Sequence, residues 1–93
     1  MQILNIGKML NKEEFEKLAF FEKVKKVYFE GEFVVAIRYY EYKINLYLYN
    51  DFYVEVYYNH KNDTVDKIEV LSYHLSRIKF YADQIKLPSD LML

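Results

Sequence analysis

The sequence predicts an α+β fold: a two-layer domain in which an antiparallel meander of four or five strands carries an N-terminal and a C-terminal helix on one face. Three observations lead there. Residues 33–72 alternate apolar and polar side chains with period two, the mark of half-buried strands. The strands follow one another so closely that no crossover fits between them, so they join as hairpins. The flanking segments carry apolar residues at helical spacing instead. With 93 residues, residues 1–93 are read as a single domain, too short for two independent cores.

The elements follow in order. Asn11 with Glu14 reads as a capping box, and Lys12-Glu13-Glu14 puts negative charge in the first helical turn. Phe15, Leu18 and Ala19, continued by Phe21 or Val24, fit one face of a helix of about a dozen residues. After Glu22 the pattern reads as period two, so residues 24–30 are expected to be a strand closed by a turn at Gly31. Ile44, Leu46 and Leu48 alternate with Asn45, Tyr47 and Tyr49, and Phe52, Val54 and Val56 alternate with Tyr53, Glu55 and Tyr57. Ile68 and Val70 continue the theme after a polar loop over 59–64. Ser72 or Ser76 then caps a helix whose face is Leu75, Ile78, Ala82 and Ile85, and Pro88 stops it.

Parity selects the turns, because residues opposite one another in a hairpin share a face. A two-residue Asn50-Asp51 turn sets Leu48 against Tyr53 and Leu46 against Glu55, mixing apolar and polar faces. A three-residue loop ending on a left-handed Asp51 pairs Leu48 with Phe52 and Leu46 with Val54, and is preferred. A turn at Glu41-Tyr42 pairs Tyr39 with Ile44, Ile37 with Leu46 and Val35 with Leu48. The core face is then Phe33, Val35, Ile37, Ile44, Leu46, Leu48, Phe52, Val54, Val56, Ile68 and Val70. Tyrosines, Arg38, Asn45 and Glu55 fall on the opposite face, which two helices on one side leave uncovered.

Composition excludes several functions. An apolar share of 53% with 29% charged residues is that of a folded chain rather than a disordered one. With no cysteine there is no disulfide framework, no thiol nucleophile and no cysteine-ligated metal. Two glycines cannot supply a Walker or dinucleotide loop, and no nucleophile elbow is present. Residues 1–10 are too polar for a signal peptide and no apolar run spans a membrane, so a cytoplasmic protein is expected. The net charge of −1 argues against nucleic-acid or anionic-membrane partners. Eleven Tyr and seven Phe beside eleven Lys and two Arg match the codon bias of an AT-rich, bacterial genome.

Eight of the eleven tyrosines lie between Tyr39 and Tyr58. In the preferred register Arg38, Asn45 and Glu55 form one row, with Tyr40, Tyr47, Tyr53 and Tyr57 around it. Tyr and Arg are enriched in interface cores, so these seven residues are the expected contact surface of a non-enzymatic interaction module, either a homodimer or a complex with another protein. Two alternatives use the same face. One is a small-ligand or nucleotide site, with rings stacking and Arg38 meeting an anion. The other is a small metal-independent ribonuclease using Arg38, Tyr47 and Glu55, which the net charge of residues 31–72, −3, disfavours. His60 beside Asp63, and His74, offer too few ligands for a metal. Lys23, Lys25 and Lys26 are flanked by Glu22 and Glu30, and Glu13, Glu14 and Glu16 complement a helix start. No cofactor or metal is expected.

Overall fold

The computed structural model describes residues 9–72 together with 79, 81 and 82. Two helices, α1 (Lys12–Glu16) and α2 (Phe20–Glu30), precede four strands, β1 (Glu32–Tyr39), β2 (Tyr42–Tyr49), β3 (Phe52–Asn59) and β4 (Thr64–Val70). The strands form one antiparallel sheet in sequence order, β1-β2-β3-β4. The fold class is α+β, with the expected meander. The candidate cap Ser76, the helix residues Leu75, Ile78 and Ile85, the stop at Pro88, and His74 lie outside the described residues, as do residues 1–8.

The capping box forms as the sequence implies: Glu14 N–H donates to Asn11 Oδ1 at 2.8 Å, and Asn11 N–H donates to Glu14 Oε1 at 2.9 Å. The helix it starts is short, however, and residues 24–30 are helix rather than strand. Ala19 N–H donates to Glu22 Oε1 at 3.3 Å, restarting the chain as α2. Phe20, Val24 and Val27 recur at three- and four-residue spacing, which is helical, and Val27 is fully buried. Gly31 ends α2 by close approach rather than by unusual backbone. Its N–H donates to Val27 O at 2.8 Å, and a Cβ there would lie 2.6 Å from that oxygen.

Both early hairpins close with two-residue loops. Tyr39 faces Tyr42 across Tyr40-Glu41, and Tyr49 faces Phe52 across Asn50-Asp51. The first loop residue is left-handed in each, with φ 57° at Tyr40 and 55° at Asn50, as primed hairpin turns require. The first loop shifts the expected pairing by two residues and keeps its parity: Ile37 faces Ile44 and Val35 faces Leu46. The second overturns the preferred register. Leu48 faces Tyr53 and Leu46 faces Glu55, so β3 sits one residue out and all its side chains change sides.

The consequence is a sheet with two half-cores. On one face Tyr49, Phe52, Val54, Val56 and Ile68 pack against Phe15 and Val27 of the helices. On the other, Ile37, Ile44, Leu46, Tyr57 and Leu71 pack against Tyr81. The expected arrangement, both helices on one face with the other left open, is therefore corrected: α1 and α2 cover one side and Tyr81 lies on the opposite side.

Candidate functional site

The sequence-predicted row does not assemble. Arg38 faces Lys43 across β1 and β2, and Asn45 faces Ala36 and Val56, on the side of the sheet covered by α2. Tyr47 shares that side, with ring centroids 5.6 Å from Tyr28 and 5.7 Å from Phe33. Glu55, Tyr53 and Tyr57 point the other way, and Tyr40 sits at a loop tip. The trio considered for ribonuclease chemistry is thus divided by the sheet, with Glu55 on the far side from Arg38 and Tyr47.

Glu55 is a core residue. It is 0% exposed, and its carboxyl accepts from Tyr81 Oη at 2.8 Å and from Tyr57 Oη at 3.4 Å. Burying a carboxyl group demands such donors. Its neighbour across β3 and β4 is Glu69, whose carboxylate takes Lys67 Nζ at 3.5 Å.

Beside this pair the sheet face hollows into an open depression of about 490 Å³, lined by Tyr39, Tyr40, Glu41, Tyr42, Tyr57, Lys67 and Glu69. The register explains the gathering: Tyr39 faces Tyr42, the β2 position two residues on faces Tyr57, and Tyr57 faces Lys67. The rings of Tyr42 and Tyr57 stand 5.4 Å apart at 87°, and those of Tyr39 and Tyr40 stand 4.7 Å apart at 79°. Lys67 Nζ lies 4.9 Å from the centre of the Tyr57 ring. Of the predicted residues only Tyr40 and Tyr57 belong here. Tyr39, Tyr42 and Lys67 were missed, although Tyr39-Tyr40-Glu41-Tyr42 placed three tyrosines within four residues of the chain.

A bulge on β4 steadies the rim. Asp66 is the extra residue between the pairs Tyr57 with Lys67 and Tyr58 with Val65. Its carboxylate accepts from Thr64 Oγ1 at 2.7 Å, Tyr42 Oη at 3.3 Å and Asn59 Nδ2 at 3.3 Å. The Thr64 hydroxyl above all, with Asn59 and Tyr42, holds the Asp66 carboxyl below its ordinary range against an opposing effect of burial. The Tyr42 phenol is raised, first by burial and then by the Asp66 and Glu41 charges. Tyr58 is raised chiefly by its 2.6 Å hydrogen bond to Asp63, and Tyr47 by burial. Tyr42 therefore stays a neutral phenol near neutrality and acts here as an aromatic wall and hydrogen-bond donor.

A second surface lies on the helix side. Phe29 is 83% exposed and Phe21 76%, with Tyr28 and Phe33 about half exposed. Leu18 and Phe29, with Glu22, Lys25, Lys26 and Glu30, line a shallow groove of about 370 Å³. Lys26 Nζ and Glu30 Oε2 pair at 3.1 Å along its wall.

Among the described residues no three His, Cys, Asp or Glu side chains are placed to hold a metal ion, and no helix is long and apolar enough to cross a membrane. No protein-family model matches the chain, and no curated protein or solved structure matches it significantly.

Proposed function

We propose that the protein is a non-enzymatic interaction module that associates, as a homodimer, through the aromatic outer side of α2 and the start of β1. The observation that supports this reading is the exposure of Phe21 and Phe29, 76% and 83%, on one helix. They lie eight residues apart, about two turns, and so share a stripe with Lys25 between them. Contiguous apolar surface of this kind is uncommon on monomers and marks contact sites. Aromatic side chains also supply most of the energy in interface centres. The groove wall carries two Lys and two Glu, so two copies meet without net repulsion. This surface replaces the tyrosine face expected from the sequence, whose members the hairpin registers divide between two sides.

The test is molar mass by light scattering during size exclusion at tens of micromolar, with wild type beside Phe29→Glu. Wild type should run as a dimer and the variant as a monomer. Since Phe29 is 83% exposed, the variant should keep its fold, and its melting temperature should fall only by the concentration-dependent contribution of dimerisation. A monomeric wild type, or a dimer that Phe29→Glu leaves intact, overturns the proposal.

A further inference from the structure

The depression on the other face has the chemistry of an aromatic cage, and we propose that it binds a quaternary ammonium group. Two perpendicular ring pairs, Tyr42 with Tyr57 and Tyr39 with Tyr40, supply its walls. The face of an aromatic ring carries negative quadrupole density that attracts cations. Glu41 and Glu69 add carboxylates at the rim. The cage already attracts a cation, for the Lys67 ammonium lies 4.9 Å from the Tyr57 ring centre and 3.5 Å from Glu69.

That resident cation is replaceable. The Lys67 side chain is about half exposed on the edge strand, so its ammonium can turn out into water. A primary ammonium is compact and strongly hydrated, which opposes keeping it among phenol rings. A trimethylammonium group spreads the same charge over methyl surface, loses less hydration, and meets the aromatic rings of the hollow better. One methyl face can meet each ring while the charge meets the glutamates.

Tyr40 supports the same reading independently. Its ring is 82% exposed and contributes little burial, and its backbone is left-handed at φ 57°, where Gly or Asn is the usual choice. A bulky ring held in a strained turn, against a hollow, points to a role outside folding. In the cage it forms the wall nearest solvent.

The test is an amide-resolved NMR titration of the full chain with choline. The control is 3,3-dimethylbutan-1-ol, which has the same shape without charge. Choline should move the amides of Glu41, Tyr42 and Lys67, and the neutral analogue should bind at least about tenfold more weakly. Lys67→Thr, which suits an edge strand and removes the competitor, should tighten choline binding several-fold. Tyr40→Asn, which suits the left-handed turn better, should weaken it several-fold at a melting temperature no lower than that of wild type. Free trimethyl-lysine is the second ligand: tighter binding than choline places the natural group on a protein side chain, weaker binding on a small molecule. No choline response at these amides, equal binding of the neutral analogue, or weaker binding in Lys67→Thr overturns the proposal.

Discussion

Tyr81→Phe probes the arrangement that most separates this fold from its sequence-based expectation. The change deletes one oxygen, the donor to Glu55 Oε2 at 2.8 Å, between two residues that are both 0% exposed. Ring volume is kept, so no cavity contributes. What is lost is a buried hydrogen bond whose acceptor remains in place, at a cost of about 1–3 kcal/mol. For a domain of this size that lowers the melting temperature by roughly 4–8 °C per kcal/mol. Glu55→Leu should cost more, because it removes the carboxyl that accepts from both Tyr81 and Tyr57 hydroxyls. The double variant should recover part of the loss, giving a coupling of about 1–2 kcal/mol in urea titrations. Arg38→Ala with Glu55→Leu is the control: the two side chains lie on opposite sides of the sheet, so their effects should add within about 0.5 kcal/mol. A Tyr81–Glu55 coupling near zero, or an Arg38–Glu55 coupling above 1 kcal/mol, would refute the placement of Glu55 beneath Tyr81.

Two further outcomes follow from single side chains. Gly31→Ala should destabilise by about 1–3 kcal/mol, although its φ of −85° is open to any residue and such a change ordinarily stabilises. The new Cβ would sit 2.6 Å from Val27 O, and a higher urea midpoint for the variant would refute this. Asp66 has its pKa depressed in the folded protein, so it contributes stability above the ordinary carboxylate range, and that contribution is lost as pH falls through the depressed value. Thermal melts from neutral pH down to about pH 2 should therefore show a smaller acid loss in Asp66→Asn than in wild type; identical acid limbs would show that the bulge carboxylate is not linked to folding.

Much of the local structure was legible because its causes are local. The Asn11–Glu14 box needs two side chains and two amides three residues apart, and it forms. Alternation marked the strands, and short connections between them dictated antiparallel pairing in sequence order. The misreading of residues 24–30 was also a local matter. Val24 and Val27 are three residues apart, a helical interval, and Gly31 stops a helix there by its closeness to Val27 O. The candidate site was legible only as composition. Tyrosines crowd residues 39–58, but Tyr49 turns out to be a core residue, and Tyr57 is a buried ring at the base of the depression that Tyr39, Tyr40 and Tyr42 also line.

The sequence by itself determined the class and the order of the strands from residue 32 onward, since hairpins leave no choice of neighbour, though not that residues 24–30 are helix. Which side of the sheet each β3 residue occupies was decided only in three dimensions. A left-handed Asn50 closes β2 and β3 in two residues rather than three, and a slip of one residue in a period-two strand exchanges its faces entirely. Both faces of β3 are apolar enough to be buried, Phe52, Val54 and Val56 on one and Tyr53 and Tyr57 on the other. The pattern could not say which face needed a cover. Tyr81, 26 residues beyond Glu55, settles that a carboxyl group placed among tyrosines is buried and hydrogen-bonded rather than open to solvent, and no periodicity records a contact at that separation.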